Sequence, residues 1–422
     1  MKPIIYWFRN DLRLYDSIAL QKASETNQPI IFVYIINSDW FKISELGFNR
    51  IGSFRLNQLY QSLHRLKSEL QSVSANLHIF KGNPTAIIPE LANKTDASDV
   101  YAHHEYAPYE LEEERIINEN VNLQLYWGNM IYPPNHVPFS ADVSPYYYTK
   151  FMKKVIELPP APLITNTKSF NTYQGVIPIE TLELPLIKET ISPVKLMTDY
   201  LQSDSFTNYH ISRELFEGNH YSSFLSPYLA DGSLSANLLY YELNKRQKQN
   251  PDLEQSVEKM KLQLIWRDYY RFLFLRYDNK LFYRHGIRNK NRDRYDDSEA
   301  FNAWLNGKTD EPLINAFMNE LRTTGFLSNR GRMLVSYYLS KVMQVNWLWG
   351  AEWFEHILID YEVCNNYGNW AYQAGVGTDS RFNRSFNLAK QVEKFDPNKR
   401  YIAKWSGDTK TKQNPVNLKI QF

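Results

Sequence analysis

Between Asn346 and Asn387 the chain sets large rings beside side-chain amides more densely than a plain core requires. An apolar helical pattern carries Trp347, Trp353, Phe354, Ile357 and Leu358 and ends at Asp360. Asn365, Asn366, Gly368, Asn369, Trp370 and Tyr372 follow on one short path. Each buried amide must find a hydrogen-bond partner, so amides among indoles are costly unless something satisfies them. A flat heterocycle held at its edge by amides and backed by rings would do so, which points to a ligand or redox site. The plainer alternative is an aromatic helical core with an Asn-rich turn. Asp360 fits the same chemistry, because a buried carboxylate needs a cation and Arg332 can supply a fork of donors. Upstream, Ser222, Ser223 and Ser226 precede Pro227 and helical periodicity. Hydroxyls and free backbone amides at a helix start suit a pyrophosphate, although a serine-rich cap is common.

The elements that must position these groups fall into two kinds. Runs at 3–9, 29–36, 76–80, 99–103 and 122–127 are short, apolar and β-branched, and read as buried strands. Helical periodicity over 50–70, and a helix opening at KGNP (81–84) with Pro in its first turn, alternate with them. That alternation predicts a parallel sheet with helices on both faces. No GxGxxG run is present, which disfavours a nicotinamide enzyme. From 132 to about 200 prolines punctuate a connector with one helix near 146–156. Beyond 196 strand signals vanish, and helical patterns occupy 234–247, 255–277, 297–305, 312–323, 329–343, 349–359 and 383–393. The expected organisation is an α/β domain over 1–130, a connector over 131–200, an all-helical domain over 201–405 and a short polar tail over 406–422, with no room for a signalling extension.

Composition narrows the class. A chain of 422 residues with 43% hydrophobic and 22% charged residues is long enough for two or three globular domains. It shows no export signal and no uncharged apolar run long enough to span a membrane. The single Cys364 excludes an intramolecular disulfide, and the histidines show no HExxH spacing, so a cytoplasmic protein without a metal is expected. The first 150 residues are net acidic while the whole chain is +2, so the remainder is basic, compatible with a phosphate-facing surface.

Several ordered runs then identify a resemblance: YWFRNDLRL (6–14), PFSADVSPYYYTKF (138–151), YSSFLSPYLADGSLS (221–235), WRDYYRF (266–272), SNRGRM (328–333), WGAEWF (349–354) and NNYGNWAYQAG (365–375). Over nearly its whole length the chain resembles the photolyase and cryptochrome flavoproteins, most closely the DASH-type cryptochromes. The resemblance implies an antenna domain followed by a helical FAD-binding domain. It implies that Tyr209, Ser222, Ser223, Ser226, Arg332, Asp360, Glu362 and Asn366 hold FAD, with Asn366 facing the flavin N5. An amide there can turn to serve N5 with or without its proton. Trp370 and Trp347 match the first two tryptophans of an electron-transfer chain; Trp304, Trp349 and Trp353 are all available as the third. Glu105 is the expected partner of a reduced folate antenna, 5,10-methenyltetrahydrofolate. Arg213, Arg330 and Arg384 match DNA-facing positions. Gln263, Trp266, Asn329, Met333 and Tyr372 match a lesion pocket. Gln263 lies three before Trp266 and Asn329 four before Met333, so each pair shares a helix face.

The expected activity is light-driven repair of cyclobutane pyrimidine dimers by a monomer. Tyr372 is a smaller wall than tryptophan, which favours lesions in single-stranded DNA, where unpairing is cheap. Departures from the family pattern bear on this. Gln263 stands for a glutamate, Glu362 for an aspartate, Met333 for the DASH glutamine, and Asn315 for an aspartate whose loss is expected to weaken a local contact. Gln263 feeds the alternative, a blue-light photoreceptor or nucleic-acid-binding regulator with weak or no repair. Repair of the six-four photoproduct is disfavoured, because the pocket runs hold no histidine.

Overall fold

The computed structural model describes residues 1–165, 169–187, 190–218, 221–289, 295–381 and 385–407; Arg384 and the expected tail beyond Gly407 lie outside them. The five β-branched runs form β1 (Ile4–Phe8), β2 (Ile30–Asn37), β3 (Leu77–Gly82), β4 (Val100–His103) and β5 (Leu123–Tyr126). All pair in parallel, in the order β3-β2-β1-β4-β5. Every residue of β1 and β2 is buried, which is why those runs are continuous rather than alternating. Leu59, Leu63, Leu66 and Leu70 of helix Ser53–Ser72 cover one face; Ile88, Leu91 and Ala92 of helix Pro84–Thr95 cover the other. The latter helix starts as its sequence dictates, with Pro84 first and the Asn83 side-chain Oδ1 accepting from Thr85 N at 2.9 Å.

From Pro193 onward the described elements are helical, as expected. Their core is one cluster in which Trp304, Trp347 and Trp370 are nearly inaccessible. The longest helix, Glu254–Tyr277, carries Gln263 and Trp266. The pattern over 329–343 is an α-helix, Asn329–Tyr337, that widens into a π-turn at Tyr338–Val342. The Asn-rich stretch is not a turn but a helix, Val363–Ala374. Asparagine is a weak helix former, yet Glu362 caps the N-terminus and Val363, Tyr367, Trp370, Ala371 and Ala374 bury one side. Gly375, at φ +72°, ends it.

The connector begins inside the helical core rather than on the surface. Met130, Ile131 and Tyr132 are buried there, and the Ile131 and Tyr132 amides each donate to the Asp268 carboxylate at 2.9 Å. After helix Tyr148–Val155 it runs back to the sheet, where Ile30 N donates to Asn171 O at 2.8 Å. FRNDLR forms the seam between the two halves. Buried Arg13 donates to Asn129 Oδ1 at 2.6 Å and Gly232 O at 2.8 Å. A Cβ on Gly232 would lie 1.8 Å from Asn10 O, so only glycine permits the approach.

Candidate functional site

A cavity of about 100 Å³ gathers Asn329, Arg332, Met333, Asp360, Glu362, Asn366 and Trp370 from two helices and the turn that leads into the second of them. Arg332 Nη2 donates to both Asp360 oxygens at 2.9 and 3.0 Å, and its Nε to Leu327 O at 3.0 Å. Ser226 Oγ donates to the same carboxylate at 2.6 Å. Ser226 therefore completes the ion pair. Ser222 and Ser223 accept from Phe224 N and Leu225 N in their own loop, ahead of the five-residue helix Ser226–Ala230. None of the three serines lines the cavity.

Asn366 is 7% exposed and its Nδ2 donates to Ala351 O at 2.9 Å, which leaves Oδ1 buried without a partner. The amide is thus held as an acceptor rather than left to turn. Glu362 accepts from Asn365 N at 2.9 Å and lies 3.6 Å from Arg271. Burial pushes its carboxyl up, but the guanidiniums of Arg271 and Arg267 and the Asn365 amide outweigh that and hold it below its ordinary value.

Trp370 packs edge-on against Trp304 at 6.1 Å and Phe354 at 5.1 Å, and its Nε1 is buried without a partner. Gly350 makes room for it: a Cβ there would sit 2.2 Å from the indole. Trp347, one helical turn before Gly350, donates from Nε1 to Arg284 O at 3.0 Å. Trp304 is the candidate third tryptophan in ring contact with Trp370. Trp349 reaches Trp304 only through Phe301, and Trp353 packs on Phe48 and His356.

Asn329 and Met333 share a face as their spacing requires, with Nδ2 and Sδ 3.8 Å apart. Gln263, Trp266 and Tyr372 do not line this cavity. Trp266 and Tyr372 instead meet at a right angle, with centroids 5.9 Å apart and planes at 87°. The Tyr270 hydroxyl, donating to Asn369 Oδ1 at 3.0 Å, links that corner to the cavity wall. Tyr209 is buried one turn before Arg213. Arg213 and Arg330 are joined by one acid: Arg213 bonds Glu214 at 2.9 Å and Arg330 pairs with its other oxygen.

A larger cavity of about 380 Å³, which the sequence reading missed, lies where β1 and β2 end against the helical half. Ligands of parallel sheets bind beyond the carboxyl ends of the strands, so the signal was available in Arg9, Asn37 and Asn83, which close β1, β2 and β3. Arg50 lies over Tyr109 at 4.8 Å and Arg55 over Tyr361 at 4.5 Å, while Arg55 Nε and the Tyr361 hydroxyl are buried without partners. Glu105 stands behind this wall. It is 3% exposed, accepts from Asn10 Nδ2 at 3.0 Å and lies 4.0 Å from Arg9 Nε. Burial pushes its carboxyl up to about 7 against the pull of Arg9 and Arg271. Tyr361 and Glu362 line both cavities.

Residues 4–165 match the family model described as DNA photolyase, and residues 260–416 the model of the FAD binding domain of DNA photolyase. Cryptochrome DASH from Synechocystis is 35% identical over 96% of this chain and 88% of its own length. The chain belongs to the DASH cryptochromes of the DNA photolyase family. The Synechocystis cryptochrome crystal structure superposes on this DASH chain with a TM-score of 0.90, at 35% identity, covering 96% of it and 88% of the other. An archaeal photolyase from Sulfolobus tokodaii, described with two FAD molecules as an implication of a novel light-harvesting cofactor, gives 0.79 at 26% identity, with 96% and 90% covered. The matched domain makes FAD the cofactor, and the cavity suits it. The orphaned acceptor of Asn366 and the fixed Arg332–Asp360 pair are groups of the kind that would bond the polar edge of a flavin. Among the described residues no helix is long and apolar enough to cross a membrane.

Proposed function

We propose that the protein uses light and reduced FAD to split cyclobutane pyrimidine dimers, acting as a cytoplasmic monomer that prefers single-stranded DNA. The observation that carries this is the small cavity itself, which sets flavin-edge groups (Asp360, Arg332, Asn366, Glu362) beside Asn329 and Met333. When bound, the flavin supplies on excitation the electron that opens the two carbon–carbon bonds of the dimer, and takes it back afterwards. The protein contributes position and electrostatics. Asn366 Oδ1 accepts from a protonated ring nitrogen. Asn329, exposed at the mouth, meets a pyrimidine edge over Met333. The right-angled corner of Trp266 and Tyr372 fits two pyrimidines bent about a four-membered ring. Gln263, one turn before Trp266, donates to a carbonyl that gains negative charge but has no proton to lend.

The supporting roles rest on the family match. Tyr209, Ser222 and Ser223 serve the remainder of FAD; Ser226 serves it through Asp360. Trp370 and Trp347 conduct electrons from the surface. Arg213 and Arg330 face DNA, and Arg384, outside the described residues, is assigned to DNA with them by the family resemblance alone. A reduced folate antenna occupies the larger cavity among Arg9, Arg50 and Arg55, with Glu105 acting indirectly by holding Arg9 and Asn10. By analogy with the Sulfolobus tokodaii protein, a second flavin is the competing occupant.

The decisive measurement is blue-light repair of one defined dimer in single-stranded, looped and duplex DNA. Repair fastest on the single strand is expected, and no repair on any substrate by flavin-loaded protein would overturn the proposal. The photoreceptor reading draws on one observation, the acid Glu214 that occupies two of the three arginines assigned to DNA.

A further inference from the structure

Tyr148 lies flat against Trp266, with centroids 3.6 Å apart and planes 9° from parallel, well inside the spacing of about 4.5–7 Å usual for ring pairs. Its hydroxyl donates to Leu262 O at 3.1 Å, one turn before Trp266 on the same helix. The tyrosine is therefore pinned along the helix surface at both ends of its ring. It is the first residue of helix Tyr148–Val155, which Phe151 and Val155 anchor in the helical core. The residues just before it are tied to both sides of the aromatic corner. The Tyr269 hydroxyl donates to Tyr146 O at 2.6 Å, and the Tyr146 hydroxyl to Gly377 O at 3.1 Å, in the loop that follows Tyr372. This part of the connector thus spans from the helix of Trp266 to the segment of Tyr372.

We infer that Tyr148 is a positioning residue for Trp266: it permanently covers one face of the indole and fixes the ring, so that only the opposite face receives a base. The inference rests on the lesion pocket proposed above. An indole with two free torsions loses orientational freedom each time it orders against a ligand. One already stacked and braced has lost it beforehand, and the saving appears as affinity. The other neighbours of Trp266 cannot do this. Tyr269 and Tyr372 meet it edge-on at 81° and 87°, and Tyr270 is tilted by 34°.

The test compares Tyr148→Leu, Tyr148→Phe, Trp266→Leu and the double variant Tyr148→Leu/Trp266→Leu, all loaded with FAD and matched for flavin content. Affinity for a single-stranded oligonucleotide carrying one dimer is measured beside the repair yield per absorbed photon at saturating DNA. Tyr148→Leu should weaken binding about fivefold, the scale of a lost aromatic stack, and leave the saturated yield unchanged. Tyr148→Phe, which keeps the ring, should restore affinity to within about twofold. The double variant should bind no worse than Trp266→Leu alone, because the two act through one ring. Tyr148→Met, which fills the space without a ring, carries the comparison should Tyr148→Leu lose flavin. Wild-type affinity in Tyr148→Leu beside a weakened Trp266→Leu overturns the inference, as do additive losses in the double variant. Undiminished binding by Trp266→Leu removes the pocket, and the inference with it.

Discussion

Asn366 shows how one side chain's second partner decides its chemistry. Its donor end is spent on Ala351 O, so a position whose residue type allowed either role acts as an acceptor. Asn315 behaves similarly. In place of the family acid it accepts from Thr309 N and Oγ1 at 2.8 Å and donates to Thr309 O at 2.7 Å. A carboxylate could not make the last bond, so the contact expected to weaken is instead complete. On the proposed function, Gln263 is the residue expected to limit repair. A pocket glutamic acid, with its pKa raised by burial, can share a proton with a nascent anion, whereas an amide only donates a hydrogen bond worth about 1–3 kcal/mol in a dry site. Gln263→Glu should therefore raise the repair yield per photon on single-stranded DNA, and Gln263→Ala should lower both yield and affinity. Equal yields in all three forms would place Gln263 away from the lesion. Trp370→Phe should slow photoreduction of oxidised flavin while leaving FAD content unchanged. Trp304→Phe, made alongside, asks whether its ring contact with Trp370 also conducts. Transient absorption reads both, and unchanged kinetics in Trp370→Phe would remove that indole from the path.

Between elements, the last described helix, Arg400–Trp405, is held to helix Pro312–Thr324 by the Tyr401 hydroxyl, which donates to Glu320. Burial pushes the Glu320 carboxyl from 4.5 up to about 8, with the Tyr401 hydrogen bond and Lys404 opposing. A carboxyl raised on folding binds its proton more tightly in the fold than in the unfolded chain. Its contribution is thus fully present in acid and is lost as pH rises towards about 8. Melting temperature should fall across that window, and Glu320→Gln should flatten the decline; parallel profiles for the two proteins would show that Glu320 does not titrate there. Elements differed in how legible they were. The strands and the helix opening at Pro84 were plain, because apolar runs and a Pro–Asn cap are local signals. Helix Val363–Ala374 was hidden because its asparagines oppose helix propensity and its stability comes from packing on other helices. The pairing of Arg332 with Asp360 was readable from charge; the diversion of Ser226 to that pair was not, since it depends on two segments 134 residues apart meeting.

Taken whole, the molecule carries two of the cations proposed to face DNA, Arg213 and Arg330, partly neutralised. Glu214 holds Arg213 and Arg330 together, so phosphate must compete with an internal carboxylate. Glu214→Gln should tighten binding to single-stranded DNA and steepen its salt dependence by about 0.7 in log–log slope for each phosphate newly contacted. An unchanged slope would mean that these arginines do not touch the backbone. Two architectural halves, one a parallel sheet and one helical, were evident from periodicity alone, whereas the larger cavity was not. Its walls come from strand ends, a helix start and the turn at Tyr361, and no contiguous stretch of sequence announces that meeting.

Tyr361 and Glu362 separate the two cavities by a single layer of side chains. A guest on either side that shifts this partition alters the room left on the other, and such an influence is thermodynamically reciprocal. The dissociation constant of methenyl-folate should differ between flavin-loaded and flavin-stripped protein, and that of FAD should differ by the same factor with and without folate. Calorimetric titrations around this square measure both ratios. Tyr361→Ala should change that factor, and identical folate affinities with and without FAD would mean that the partition is rigid. If the coupling is present, light harvesting would be tuned to cofactor loading, with the accessory pigment recruited in proportion to the molecules able to use its energy.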